Sequence, residues 1–159
     1  MDEGQVARTY PARPYLAVSV AVFREGQVLL ARRARPPFEG FFSLPGGLVE
    51  AGETLASSAR RELREEVAVE ARIIAFNQHV EWIDFDDAGK IRHHYVIASL
   101  VGEWIAGEAK PGPEALEVVW AEPSRLAALD CTPQLVAVVE GAENLLNACL
   151  RTPSLRTGQ

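Results

Sequence analysis

The run "YLAVSVAVF", from Tyr15 to Phe23, constrains the fold more than any other stretch of the chain. Its residues are apolar and often β-branched, and Ser19 is the one polar side chain within it. A strand with this composition, without polar residues at every second position, is expected to be buried on both faces. Such a strand needs a packed layer on each side of its sheet, so we predict a layered α/β fold.

The rest of the chain supplies the other elements of such a fold. After the turn "REGQ", Val28–Arg33 is predicted to return as a second strand, followed by a loop rich in proline, glycine and phenylalanine. Leu55, Ala59, Leu63 and Val67 recur at every fourth residue, which predicts a helix from about Thr54, its N-cap, to Val67. Later strands are predicted at 71–83, 90–104 and 116–120, a short helix at 122–130, and a terminal helix at 132–150.

This order predicts a mixed β-sheet between helices, in one domain over residues 1–159. We expect residues 1–14 to be a loose leader and 150–159 a flexible tail. In the terminal helix, Thr132 is predicted as the N-cap and Pro133 as the first helical residue.

Charge and cysteine usage limit the classes of function. The formal net charge is -6, which argues against a protein that tracks a nucleic-acid polymer, although a bound cation would still permit a nucleotide ligand. Cys131 and Cys149 suggest neither a disulfide framework nor a cysteine metal site, and a cytoplasmic location is expected. We find no apolar run of about 20 residues and no signal peptide, and therefore expect no contact with a membrane.

The segment "RELREEV" of the central helix concentrates acidic side chains. On a helical wheel Glu62, Glu65 and Glu66 lie together on the flank of the apolar stripe, whereas Arg60 and Arg64 point to solvent. Carboxylates at this spacing repel each other, so a positive charge is expected beside them. This positive charge would come either from the neighbouring arginines or from a hard divalent cation. Among the arginines, Arg61 lies four residues before Glu65 and can reach it.

The residues before the helix favour the cation. "LPGGLVEAGE" supplies the glycine pair Gly46 and Gly47 and two further acids, Glu50 and Glu53. Paired glycines allow a tight turn and a close approach of the backbone, so a main-chain carbonyl can join the coordination of a metal.

The combined pattern resembles the Nudix box. It reads Gly47, five residues, Glu53, seven residues, then Arg61-Glu62-Leu63-x-Glu65-Glu66-x-Ala68-Val69. Ala68 stands where the family usually has glycine, and because alanine resists positive φ we expect the helix to exit slightly differently.

The resemblance implies a Nudix-type α/β/α sandwich and a hydrolase of a nucleoside diphosphate linked to another group. It implies Mg²⁺ or Mn²⁺ as cofactor, and a set of site residues: Glu62, Glu65, Glu66 and the Gly47 carbonyl as metal ligands, with Arg61 fixing the carboxylates. Glu53 would lie close by as a ligand or a water-orienting group. The catalytic base stays open between Glu53 and Glu114, an acid in the loop six residues before Trp120.

Substrate contacts are less constrained. Phe38, Phe41 and Phe42 precede the box and would either stack on a nucleobase or join the core, and Phe42 is our candidate for stacking. Arg32 and Arg33 end the second strand, and only one of them is expected to point inward, for which we choose Arg32. His79, His93 and His94 have no matching cluster and are not expected to bind metal.

The substrate itself stays open. The chain resembles both ADP-ribose pyrophosphatases and nucleotide-pool-cleaning triphosphatases, so ADP-ribose, a (d)NTP and a sugar nucleotide are all candidates. Some ADP-ribose enzymes carry a proline about fifteen residues after the box, and this chain has "WIDFDD" there. The alternative is a catalytically inactive Nudix module that senses a nucleotide. A homodimer is a further expectation from the fold.

Overall fold

The computed structural model describes residues 8–152, so the predictions for residues 1–7 and 153–159 lie outside the described part of the chain. This described part of the chain contains seven strands and two α-helices, together with a 3₁₀ helix at Pro123–Ala128. The strands are β1 Tyr15–Arg24, β2 Gln27–Arg33, β3 Phe42–Ser43, β4 Gly46–Leu48, β5 Glu70–Phe85, β6 Ile91–Ala106 and β7 Ala115–Ala121. The helices are α1 Leu55–Val67 and α2 Leu135–Arg151.

The sheet is mixed, as predicted. Its order is β3-β2-β1-β6-β5, with β4 added to β1 and β7 added to β2. β1 runs parallel to β6 from Tyr15 to Phe23 and antiparallel to its other neighbours. β1 pairs with β4 at Ala17–Ser19 but with β2 only at Phe23 and Arg24, so the two partners separate along it. β4, rather than β2, is therefore the neighbour of the first half of β1.

Burial on both faces of β1 is confirmed. Val18, Val20 and Val22 pack in a core with Ala59, Leu63 and Val67 of α1. The alternate residues Ala21 and Phe23 pack in a second core with Val138 and Val139 of α2. One helix therefore covers each face of the sheet, which confirms the α/β/α sandwich.

Helix α1 begins where the sequence predicts. The Thr54 hydroxyl accepts a hydrogen bond from the Ser57 N–H at 3.0 Å, and Ser57 Oγ accepts one from the Thr54 N–H at 2.9 Å. This reciprocal capping box satisfies backbone donors that the first turn leaves open.

The exit of α1 differs from our expectation for Ala68. Ala68 adopts φ 60° and ψ 30°, the left-handed conformation, and its N–H donates to the Leu63 carbonyl. The helix therefore ends in the geometry that a glycine would give, and alanine bears the steric cost.

The start of α2 is a correction. Thr132 is not the N-cap and Pro133 is not helical, because α2 begins at Leu135 after Gln134, which has φ 70°. The Thr132 N–H donates to the Phe42 carbonyl, and Cys131 forms a β-bridge with Phe42. Pairing with β3 therefore holds this segment extended and delays the helix. At its other end α2 continues through Arg151, into the range predicted as tail.

The described part of the leader is attached to the β5–β6 hairpin. The Tyr10 N–H donates to the Arg92 carbonyl at 2.9 Å, and the Tyr10 hydroxyl donates to Asp86 at 3.0 Å. Within residues 8–152, no helix has the length and apolar character needed to cross a membrane.

Candidate functional site

Arg61 organises the acidic side chains of α1. Its Nε and Nη2 donate to both carboxylate oxygens of Glu53, each at 2.8 Å. Its Nη1 donates to Glu62 at 2.8 Å and to Glu65 at 3.2 Å, and Nη2 also donates to the Leu48 carbonyl at 3.0 Å. One guanidinium therefore joins α1, β4 and the loop between them.

The glycine pair brings the backbone against two carboxylates. The Gly46 N–H donates to Glu66 Oε2 at 2.9 Å. A Cβ on Gly47 would collide with the carboxylate of Glu62, and one on Gly46 would collide with the backbone of Val18. Only glycine fits at position 46, and any larger residue at position 47 would displace Glu62, so the close approach predicted for this turn is present.

The loop before β7 docks on the end of α1. The Gly112 N–H donates to the Glu66 carbonyl at 2.7 Å, and the Lys110 N–H donates to the Val67 carbonyl at 3.0 Å. This docking places Glu114 near Glu62 and Glu66, since its charge acts on both. The Glu114 carboxylate itself is largely exposed, and its ion-pair partner, Arg35, is 4.0 Å away.

The carboxylates of this cluster differ in their electrostatics. Burial, together with the charges of Glu62 and Glu114, raises the pKa of Glu66 to about 7 despite the Gly46 hydrogen bond. Burial likewise raises the pKa of Glu62, against the opposing effect of Arg61. The hydrogen bonds from Arg61 lower the pKa of Glu53 to about 2. Glu66 is therefore the acid whose negative charge is least compensated.

The donor set fits a hard divalent cation. Within residues 8–152, no group of three or more acidic, histidine or cysteine side chains is already arranged around a metal position, and Arg61 holds Glu62 and Glu65. However, all the donors are oxygens, which such a cation prefers, and the raised pKa of Glu66 marks a buried charge that a cation would stabilise.

A cavity of about 280 Å³ extends from this cluster along β1. Gly46, Gly47, Glu66 and Glu114 line one end. The cavity also has an aromatic wall, formed by residues of β5, β6 and the loop after β2: Phe38, Trp82 and Tyr95. The Trp82 and Tyr95 rings are stacked with centroids 6.0 Å apart, and Phe38 lies 5.5 Å from Trp82.

Two predicted substrate residues do not reach this cavity. Arg32 points to the other side of β2, where it donates to the Gly40 carbonyl at 2.8 Å and pairs with Glu117 at 3.3 Å. Phe42 packs against the core below α2. Strand alternation instead brings Arg33 to the cavity, and the aromatic in that position is Phe38.

Sequence reasoning missed Arg8, Trp82 and Tyr95. Trp82 and Tyr95 face each other across β5 and β6, a pairing that depends on the register of the hairpin. Four register shifts interrupt that pairing, so simple alternation does not predict it. Arg8 lines the cavity from the leader, for which the sequence contains no structural signal.

Comparisons with known proteins agree with this architecture. A family model described as the NUDIX domain matches residues 13–141. An ADP-ribose pyrophosphatase from Methanocaldococcus jannaschii is 31% identical over 116 residues, which cover 73% of this chain and 66% of that protein. A protein named NAD-capped RNA hydrolase NudC, from Photobacterium profundum, is 29% identical over 70% of this chain and 39% of its own length. The chain thus spans less than two thirds of either relative.

Solved structures share the fold at lower identity. A MutT NUDIX hydrolase from Burkholderia pseudomallei superposes with a TM-score of 0.69 at 24% identity, covering 81% of this chain and 98% of that one. The NUDIX domain of Shewanella oneidensis NrtR, solved with ADP ribose, gives a TM-score of 0.70 at 22% identity, covering 92% and 99%. At these identities the likeness establishes the fold alone.

Proposed function

The chain belongs to the Nudix family, and from that premise we propose that it is a metal-dependent hydrolase that cleaves the pyrophosphate of a nucleoside diphosphate linked to another group. One observation supports this most: a single cavity joins the Glu66 carboxylate of α1, next to the other acids of that helix, to an aromatic wall. A nucleotide has the same two parts, a polyanion that needs a cation and a flat base that stacks on aromatic rings.

The metal ligands that we propose are the carboxylates of Glu62, Glu65 and Glu66 and the carbonyl of Gly47. When bound there, Mg²⁺ or Mn²⁺ would neutralise charge on the pyrophosphate and make a water molecule more acidic. The role of Arg61 is positioning, because its contacts to Glu53, Glu62 and Leu48 fix the carboxylates relative to β4. The Gly46 N–H orients Glu66 in the same way.

Glu114 is the catalytic base that we propose, and Glu53 is a positioning residue. Both oxygens of Glu53 accept hydrogen bonds from Arg61, and a pKa of about 2 makes it a weak proton acceptor. Glu114 lines the cavity beside Glu66, and its nearest cation is 4.0 Å away. Because this ion pair is long and exposed, the Glu114 carboxylate is better placed than Glu53 to accept a proton from water.

The substrate class rests on the cavity and on the relatives. Proteins named ADP-ribose pyrophosphatase and NAD-capped RNA hydrolase are among the relatives, and both names describe a nucleoside diphosphate joined to a second group. We propose that the substrate is a small nucleotide of this class. We also propose that this protein is cytoplasmic, in keeping with the free thiols of Cys131 and Cys149. A homodimer remains compatible with this function.

A nucleotide panel tests the proposal. Purified protein would be incubated with ADP-ribose, NADH, a dinucleoside polyphosphate, a sugar nucleotide and an oxidised dNTP, with Mg²⁺, with Mn²⁺ or with EDTA. We expect release of a nucleoside monophosphate from at least one compound, and no release in EDTA. Binding without turnover under every condition would instead support the inactive sensing module.

A further inference from the structure

The arginines of this protein fall into two groups. Most are ion-paired with a carboxylate within 4.0 Å: Arg24, Arg32, Arg35, Arg61, Arg64, Arg72, Arg92 and Arg125. Of the arginines without such a partner within residues 8–152, Arg13, Arg60 and Arg151 are exposed to solvent. The other two, Arg8 and Arg33, are partly buried, and both line the cavity.

The two cavity arginines lie at different depths. Arg33 precedes Ala34, whose N–H donates to the Glu114 carbonyl at 3.1 Å, so Arg33 is near the carboxylate end. Both arginines act on the Tyr95 hydroxyl and lower its pKa against the effect of burial, and Arg8 acts more strongly than Arg33. Arg8 therefore belongs to the aromatic side of the cavity, whereas Arg33 is near the carboxylates.

The position of Arg8 is set by contacts of the leader. Two residues further on, Tyr10 is held by Asp86 and by the Arg92 carbonyl, and the Lys90 ammonium lies 4.6 Å from the centre of its ring. These contacts attach the leader to the turn of the β5–β6 hairpin. The same hairpin carries Trp82 and Tyr95, so the guanidinium and the aromatic wall belong to one unit.

An arginine that is partly buried and has no carboxylate partner among residues 8–152 loses hydration without gaining a counter-ion there, which is costly unless an anion binds to it. Arginine is well suited to phosphate because its planar fork donates two parallel hydrogen bonds. Arg33, beside the carboxylates, can serve the pyrophosphate that is cleaved. Arg8 lies farther along the cavity, where a second phosphate would be needed to pair with it.

We infer that Arg8 binds a phosphate group that the substrate carries in addition to the cleaved pyrophosphate, on the side of the cavity formed by Trp82 and Tyr95. This inference rests on the proposed function for the location of the pyrophosphate. The additional phosphate has two chemical sources, a phosphate ester on the ribose or a longer chain of phosphates. Tyr10 is a positioning residue for Arg8.

Matched ligand pairs test the inference. ADP-ribose would be compared with its 2′-phosphate, and diadenosine diphosphate with diadenosine triphosphate. Dissociation constants would be measured by calorimetry in EDTA, and kcat/KM with Mg²⁺. In at least one pair we expect the ligand with the additional phosphate to bind about tenfold more tightly, as for one charge-assisted hydrogen-bonded contact. The pair that shows the preference identifies the source of the phosphate.

Variants assign the preference to Arg8. In Arg8→Ala the ratio of the two dissociation constants should fall to about one, and Arg8→Lys should retain part of it because the charge remains. Arg13→Ala is the matched control, since Arg13 is an exposed arginine of the same leader, and it should keep the wild-type ratio. The melting temperature of each variant, measured alongside, shows whether the protein is folded.

The outcomes separate this inference from the proposed function. Equal binding of both members of both pairs by the wild type, or a preference that Arg8→Ala leaves intact, overturns the role of Arg8. Hydrolysis of the unphosphorylated members would still support the proposed function in that case. An Arg8-dependent preference in EDTA without turnover in Mg²⁺ would support the anion site and overturn the hydrolase.

Discussion

Glu66 combines two features that oppose each other at neutral pH. It is needed as an anion if it holds a cation, yet burial and the charges of Glu62 and Glu114 raise its pKa to about 7. In the unfolded chain the same carboxyl would titrate near 4.5. Between these values the folded protein binds more protons than the unfolded one, so without a divalent cation its stability falls as the pH rises.

Glu66→Gln tests this linkage at the residue scale. In EDTA, the free energy of unfolding of the wild type should decrease from pH 5 to pH 8 by up to about 3 kcal/mol relative to the variant, since one pKa unit corresponds to about 1.4 kcal/mol. Urea denaturation of both proteins at the two pH values measures the difference. Glu53 and Asp84, with pKa values of about 2, lose their stabilising effect only at lower pH and do not interfere. Parallel pH dependences in the two proteins would argue against a raised pKa at Glu66.

The base assignment is also a matter of single residues. Glu114→Gln should lower kcat by about 10²- to 10⁴-fold, because the proton acceptor is lost. Glu53→Gln, the matched control, should lower kcat by less, because Glu53 acts only through Arg61. The kcat values of both variants decide between the two acids, and a larger loss in Glu53→Gln would reverse the assignment.

At the scale of elements, the short strand β4 is shaped by two glycines with different neighbours. Gly46→Ala would press a methyl group on the backbone of Val18 in β1, which cannot yield, so we expect a loss of about 2–3 kcal/mol of stability. Gly47→Ala would press on the carboxylate of Glu62, a side chain that can move. The free energy of unfolding of that variant should lie within about 1 kcal/mol of the wild-type value. Its kcat should fall by more than about tenfold, because Glu62 is displaced. Chemical denaturation and kinetics on both variants provide the comparison, and the reverse pattern would contradict it.

The exit of α1 gives a second prediction for an element. Ala68 is exposed and adopts the left-handed conformation, which costs an L-residue about 1–2 kcal/mol. A glycine there would avoid this cost, but the greater conformational entropy of glycine in the unfolded chain would offset about half of the gain. Ala68→Gly should therefore raise the free energy of unfolding by about 0.5–1 kcal/mol. The control Ala56→Gly, inside the same helix, should lower it by about 1 kcal/mol. A destabilised Ala68→Gly would show that this alanine is not strained.

The elements also show which signals the sequence contains. The Thr54 cap, the period of α1 and the doubly buried β1 follow from local chemistry, and each was predictable. The start of α2 was not, because a hydrogen bond from Thr132 to Phe42, ninety residues earlier, outweighs the local preference of Thr-Pro for a helix start. A long-range strand contact of this kind has no local signature.

At the scale of the whole molecule, the acidic cluster was predictable and the cavity was not. Glu62, Glu65 and Glu66 lie on one helix, so their spacing alone brings them together. The cavity instead is lined by residues of β1, β4, β5 and β6, which only the tertiary fold brings together, and it depends on the register of β5 against β6. For the same reason Arg33 and Phe38, rather than Arg32 and Phe42, line it.

The central claim is that the carboxylates of α1 support hydrolysis of a nucleotide through a divalent cation. The most direct test is kcat/KM with saturating Mg²⁺ for the best substrate of the panel, in wild type, Glu65→Gln, Glu66→Gln and the control Glu70→Gln, whose carboxylate pairs with Arg64 outside the cavity. We predict a loss of at least about 10²-fold for Glu65→Gln and Glu66→Gln, as for removal of a major electrostatic contributor, and wild-type activity for Glu70→Gln. Unchanged turnover in Glu65→Gln and Glu66→Gln would contradict the assignment of the metal site.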